Sequence, residues 1–160
     1  MLYLIRPDMT TEWLDHFGRK EMALAQANGV TLDGLDWKPA ERVVDETTLR
    51  LALREGQACG RGVAVDAGDL VPHDRPARIR QAHADAVAHR PVMRKTLEKM
   101  EQVYPGRLAE EDASNAEVDA SIAESLAEAD AALAVALAAE PRPELVEHWR
   151  SLGGVLPDPL

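Results

Sequence analysis

The longest regular pattern of apolar and polar positions in the chain runs from residue 114 to residue 139. Its apolar residues recur at steps of four, four, three, four and four positions: Val118, Ile122, Leu126, Ala129, Leu133 and Leu137. These steps follow the roughly 3.6-residue period of an α-helix, so the six side chains fall on one stripe. The pattern predicts a long helix that packs this stripe against another element.

A second helical pattern covers residues 76–104 and begins at Pro76, which suits the first turn of a helix. Pro91 lacks an amide hydrogen, so we expect it to stop or kink this helix. The link of residues 107–113 is short enough to fold the helix of residues 114–139 back beside the first. The sequence therefore predicts an antiparallel helical hairpin. Its expected inner residues in the first helix are Ile79, Ala82, Ala86, Val87, Val92 or Met93, Leu97, Met100 and Tyr104.

The two helical segments carry opposite charge. Residues 75–99 hold seven Lys or Arg against two acids, whereas residues 101–147 hold twelve acids against two Arg. Opposite charges on neighbouring helices attract, so this distribution predicts pairing within the chain. The alternative is an acidic face that is offered to a basic partner.

The N-terminal part is less regular. Residues 2–5 form a short apolar run, which suits either a strand or an anchored arm. Thr10 or Thr11 can cap a helix that reaches about Ala27, where Asn28-Gly29 is a typical left-handed stop. The Asp33-Gly34 pair then predicts a small hairpin over residues 30–37, which Lys38-Pro39 ends.

Residues 45–55 suit two structures. Leu49, Leu51 and Leu53 alternate with polar residues, as in a strand, but Asp45 can also cap a helix of strong helix-forming residues. We expect the helix. Residues 63–65 then form a short extended piece.

The C-terminal part combines a short helix over residues 143–152 with an apolar tail over residues 153–160. Pro157 and Pro159 keep the tail extended and suit a peptide that lies in a groove. We expect this part to contribute to a partner or oligomer interface, with docking on its own core as the alternative. The candidate interface residues are Trp149, Val155, Leu156 and Leu160.

These elements predict a mainly α fold with a minor β element near the N-terminus, and α+β is the alternative fold class. A chain of 160 residues predicts a single domain over residues 1–160, with a mixed part (1–74), a helical part (75–152) and an extended tail (153–160). The one cysteine, the absence of a signal-like start and the absence of an apolar run of membrane length indicate a cytoplasmic protein.

Candidate catalytic groups are few. Gln57-Ala58-Cys59-Gly60 resembles the nucleophile segment of the caspases, but Arg61 stands where that segment requires glycine, and the chain is too short for that fold. Three acid–histidine pairs have the i,i+4 spacing of helix neighbours, and we interpret them as surface pairs. They are Glu12 with His16, Asp85 with His89, and Glu144 with His148.

The spacings that typify zinc, di-iron and phosphate-binding motifs do not occur, so the sequence predicts no catalytic residue, cofactor or metal. A net charge of −10 argues against direct binding of nucleic acid. We expect a non-catalytic interaction or assembly protein, such as an adaptor, an accessory or chaperone-like subunit, or a phage or virion component. Its partner is another protein or a second copy of the chain. The alternatives are a small subunit of an enzyme and an acidic inhibitor, or nucleic-acid mimic, that occupies a basic protein surface.

Overall fold

The computed structural model describes residues 2–14 and 37–160, and it confirms a mainly α fold with a minor β element near the N-terminus. The chain divides into two compact units. The first unit comprises Met1–His73 and Ala134–Leu160, and the second comprises Asp74–Leu133.

The first unit contains a five-stranded sheet within the described residues. Its strands are β1 (Leu2–Ile5), β2 (Thr10–Leu14), β3 (Trp37–Val43), β4 (Gln57–Cys59) and β5 (Gly62–Asp66). The strand order is β3-β2-β1-β5-β4, and every neighbouring pair is antiparallel. The run of residues 2–5 is therefore the central strand, and its Leu2, Leu4 and Ile5 are buried.

The predicted helix from Thr10 is wrong at its start, because residues 10–14 form β2. A tight turn after Arg6 reverses the chain, with the Met9 amide donating to the Arg6 carbonyl at 2.9 Å. This reversal sets Thr11 opposite Ile5 in the ladder. Pairing with the buried central strand thus overrides the local capping pattern.

Lys38-Pro39 does not end the β element as predicted, because both residues lie inside β3. Among the described strands β3 is at the edge of the sheet, which is where proline is tolerated in a strand. The rest of the predicted helix to residue 27 and the Asp33-Gly34 turn lie outside the described residues.

Helix α1 (Glu46–Glu55) confirms the preference for helix over residues 45–55. Asp45 caps it, since its side chain accepts a hydrogen bond from the Thr48 amide at 2.8 Å. The helix packs on the sheet together with α4 (Pro143–Ser151). Among the described residues of this unit, one cluster of buried core residues comprises Ile5, Val44, Leu49, Ala52, Leu53, Val63, Val65, Leu145 and Trp149.

The second unit is built from most of two long helices, α2 (Ala67–Met100) and α3 (Arg107–Ala138); residues 67–73 and 134–138 are counted with the first unit. Ion pairs join residue 80 to residue 130 and residue 94 to residue 112, so the helices are antiparallel, as predicted.

The helix boundaries differ from the prediction. α2 begins at Ala67 and continues through Pro91, and residues 107–113 are helical rather than a link. The Glu101 side chain explains the early start of α3, because it accepts hydrogen bonds from the Gly106 and Leu108 amides at 2.7 and 3.1 Å. The Glu101 carboxylate therefore caps the first turn of α3.

Candidate interaction surface

The seam between α2 and α3 contains few buried residues. Within residues 74–133, all of which the structure describes, only Pro76 and Ala129 are buried. Ile122, Leu126 and Leu133 are half-buried in the seam, in agreement with the predicted stripe. Val118 is 44% exposed, so the stripe does not extend to it.

The inner face predicted for α2 needs a larger correction. Of its residues, Ile79 and Leu97 are half-buried, whereas the others are exposed. The exposed ones are Ala82, Ala86, Val87, Val92, Met93, Met100 and Tyr104. The half-buried positions also include His83 and Arg90, which fall in one row with Pro76 and Leu97 at intervals of seven residues. An interval of seven residues is about two helical turns, so these residues lie on one side of α2 and can face a neighbouring helix along its length.

Three aspartates of α3 form a ladder of ion pairs with α2. Asp112, Asp119 and Asp130 are spaced by seven and eleven residues and so share one side of the helix. Each accepts hydrogen bonds from α2: Asp130 from Arg80 at 3.1 Å, Asp119 from Arg90 at 2.6 Å, and Asp112 from Arg94 at 2.8 Å. These pairs confirm the predicted attraction between the basic and acidic segments.

Asp119 has the most partners in the ladder. Nη1 and Nη2 of Arg90 donate to its two carboxylate oxygens at 2.9 and 2.6 Å, and Nε2 of His83 lies 2.7 Å from Oδ1. The Arg90 hydrogen bonds, followed by the one from His83, hold the pKa of Asp119 well below its usual range. Asp119 therefore stays ionised and holds the two helices in register.

The ion pairs also distinguish two sides of the hairpin. We call the side of Asp112, Asp119 and Asp130 the ladder side. On the opposite side, Arg75 pairs with Glu128 at 4.0 Å. Met93 lies 18 residues after Arg75, or about five helical turns, and therefore falls on this same side.

The second side is mostly uncharged, and we call it the apolar side. Besides the paired Arg75 and Glu128, helical spacing places on it Ala82, Ala86, Met93 and Met100 of α2 and Val118, Ser125 and Ala132 of α3. Met93 is 51% exposed, Met100 40% and Val118 44%. Large apolar side chains of both α2 and α3 are thus exposed to solvent on this side of the hairpin.

A cleft of about 320 Å³ lies in the second unit near Pro91. Its lining residues are Arg90, Pro91, Arg94, Leu97, Leu108, Glu111, Asp112 and Asn115. Arg90 and Arg94 already pair with Asp119 and Asp112, so these guanidinium groups are committed to the ladder.

The candidate nucleophile Cys59 lies in β4 and is 4% exposed. Its backbone carbonyl and that of Gly62 both lie within hydrogen-bonding distance of Nε2 of His148. His148 therefore ties α4 to the β4–β5 turn and has no hydrogen bond with Glu144, which pairs with Arg142 instead. A buried thiol whose nearby histidine holds backbone carbonyls has the features of a structural residue.

The other acid–histidine pairs also differ from the helical pairing that was predicted. Glu12 is in a strand, is 9% exposed and accepts a hydrogen bond from Arg6 at 2.7 Å. Its second oxygen lies 3.7 Å from Arg61, so two guanidinium groups balance this buried charge. His89 contacts the backbone carbonyl of Asp85 rather than its carboxylate. His16 lies outside the described residues.

The C-terminal candidates lie in the first unit. Trp149 is fully buried, and its Nε1 donates to the Val155 carbonyl at 3.0 Å. Leu156 packs against the core, whereas Val155 and Leu160 are 80% and 39% exposed. The structure thus shows the docked alternative for Trp149 and Leu156.

Among the described residues, no three His, Cys, Asp or Glu side chains converge as ligands of a metal ion. None of the helices in that part of the chain has the length and apolar composition that crossing a bilayer requires. Comparison of the chain with protein-family models, with curated proteins and with solved structures found no match.

Sequence reasoning missed the ladder and the apolar side. The signal for the ladder was present, since Asp112, Asp119 and Asp130 already have the spacing of one helix side. The signal for the apolar side was misread, because its methionines were assigned to the seam.

Proposed function

We propose that this protein is a non-catalytic interaction or assembly protein that binds another protein chain through the apolar side of its α2–α3 hairpin. The observation that carries the proposal is the exposure of Met93, Met100 and Val118 along one side of two helices with almost no core between them.

Packing energetics support the proposal. Most of the stability of a helix in a protein comes from packing an apolar face, and the seam buries only Pro76 and Ala129 of residues 74–133 in the described structure. Covering the apolar side with a second protein would add the burial that the seam lacks. Each fully buried methionine or valine contributes roughly 1.5–3 kcal/mol relative to its exposed state.

Side-chain chemistry supports a protein as the ligand. Methionine is flexible and polarisable, so it adapts to another apolar surface, and it is enriched at protein interfaces. The other residues of this side, Ala82, Ala86, Ser125 and Ala132, have small side chains, so a partner helix can approach the hairpin closely. Three pairs of charged groups, Arg80 with Asp130, Arg90 with Asp119 and Arg94 with Asp112, are engaged with one another on the ladder side.

The test compares two neighbouring residues of α2. Met93 lies on the apolar side, whereas Val92 is 69% exposed and lies two positions after the seam residue Arg90, about 200° around the helix. A tagged chain is used to capture partners, including an untagged copy of itself, from the cells that produce it.

We expect capture by the wild type and by Val92→Glu, and its loss with Met93→Glu. Circular dichroism of each variant confirms that the helices remain. Capture that survives Met93→Glu unchanged, or that Val92→Glu abolishes equally, would refute a binding role for the apolar side.

A further inference from the structure

We propose that the cleft between α2 and α3 binds an organic cation made of an ammonium group on a short alkyl chain, as in a lysine side chain or a free primary amine. The cleft measures about 320 Å³, and none of its lining residues belongs to the apolar side. The inference therefore does not depend on the proposed function.

The cleft has an apolar part that suits an alkyl chain. Leu97 of α2 and Leu108 of α3 both line it and are half-buried, and Pro91 adds an apolar ring. The volume lies at the lower end of the range for small-molecule sites, which combine apolar walls with a few polar groups. An alkyl chain in contact with the two leucines would leave water, which favours binding.

The guanidinium groups that line the cleft are already neutralised. Arg90 donates to both carboxylate oxygens of Asp119, and Arg94 donates to Asp112 at 2.8 Å. Nε of Arg94 also lies 3.6 Å from the carboxylate of Glu98. Two guanidinium groups thus contact three carboxylates, so an anionic ligand would have to displace one of them.

Glu111 is the carboxylate of the cleft that remains for a ligand. It is half-buried, and it forms no ion pair within the part of the chain that the structure describes. Arg90 is attracted by its charge but donates to Asp119 instead. The contact of Glu111 with Nδ2 of Asn115, at 3.5 Å, is long for a hydrogen bond. An ammonium group has three N–H donors and would give this carboxylate a charge-assisted hydrogen bond.

Titration of the isotope-labelled full-length chain, followed by its amide chemical shifts, tests the proposal. The probe is n-butylammonium, because its chain and head are those of a lysine side chain. We expect it to shift the signals of residues that line the cleft, and to saturate. Methylammonium, which lacks the chain, should bind more weakly. The neutral n-butanol and the anionic pentanoate should bind at least about tenfold more weakly.

A capped lysine, Nα-acetyl-lysine amide, distinguishes the two sources of the ammonium group. Binding as tight as that of n-butylammonium would assign the cleft to a lysine of another protein. Much weaker binding would assign it to a free amine.

Two substitutions in α3 locate the site. Glu111→Gln keeps the shape of the side chain and removes its charge, so it should weaken n-butylammonium by about tenfold or more. Glu117→Gln is the matched control, since Glu117 is an exposed glutamate of the same helix outside the cleft, and it should bind like the wild type. The cation site would be overturned by a wild type that shows no saturable shift, by equal binding of n-butanol or pentanoate, or by two variants that bind alike.

Discussion

Arg90 binds both carboxylate oxygens of Asp119, at 2.9 and 2.6 Å, and so joins the middle of α2 to the middle of α3. His83, which lies two helical turns before Arg90 in α2, contacts the same carboxylate. Because the seam buries few apolar side chains, these charged groups set the alignment of α2 with α3. Polar residues at core positions set the alignment of coiled-coil helices in the same way.

The first prediction concerns this pair at low pH. The pKa of Asp119 in the folded chain lies below its unfolded value, so the pair contributes stability at pH values above about 4 and loses it as the pH falls further. Asp119→Asn removes the charge and keeps the shape. We expect a melting temperature below that of the wild type at pH 7 and a gap between the two that narrows steadily as the pH falls below about 4.

Asp85→Asn is the control for this experiment, since the Asp85 carboxylate contacts Gln81 on its own helix rather than α3. It should melt close to the wild type throughout. A melting gap for Asp119→Asn that does not change with pH would contradict the ion pair as its cause.

The second prediction concerns the packing of β5 on β1. A methyl group at position 62 would collide with the backbone carbonyl of Ile5 in the central strand, which cannot move aside. Gly62→Ala should therefore lower the free energy of unfolding by more than about 2 kcal/mol in urea denaturation. Gly68→Ala is the matched control, because a methyl group there meets only the Asp66 side chain, at 3.3 Å, and should change stability by less than about 1 kcal/mol.

The third prediction concerns the C-terminal tail. Deleting residues 153–160 removes the carbonyl that Trp149 binds, the packing of Leu156 and the acceptor that Pro159 offers to Arg50. We expect the free energy of unfolding to fall by about 2–4 kcal/mol. Val155→Asp, at an 80% exposed position, should have almost no effect. An unchanged melting temperature together with loss of a complex would instead assign the tail to a partner interface.

The fourth prediction concerns Cys59. Because the residue is 4% exposed, its thiol should react with a disulfide reagent only as the protein unfolds, and the rate should rise with urea. Cys59→Ala should leave partner capture unchanged. Rapid reaction in the native state would contradict the structural role.

The residues that could be predicted were those whose local pattern agrees with their tertiary surroundings. Asp45 and the leucines of α1 predict a helix, and a helix there also packs on the sheet. The helical spacing from Ile122 to Leu133 likewise places these side chains in the seam. β2 could not be predicted, because Thr10 begins a capping pattern locally and only pairing with β1 makes it a strand.

The candidate surface was harder to predict for a related reason. Met93 and Arg90 both lie at helical spacing from Leu97. Met93 was predicted to lie in the seam only because its side chain is apolar. In the structure the guanidinium group of Arg90 occupies the seam because Asp119 stands opposite, and Met93 faces outward. The period of apolar residues predicts that a helix has an apolar side, but the side chains of the helix packed against it determine which side is buried.

Photo-crosslinking from position 93 tests the binding role of the apolar side most directly. A photoreactive amino acid replaces Met93 in one protein and Val92 in another, and both proteins are irradiated in the cells that make them. We predict a covalent adduct with a protein, either a second copy of the chain or another polypeptide, from position 93 and little or none from position 92. Equal adducts from both positions, or none from position 93 in a folded protein, would contradict the claim that a protein chain covers this side of the hairpin.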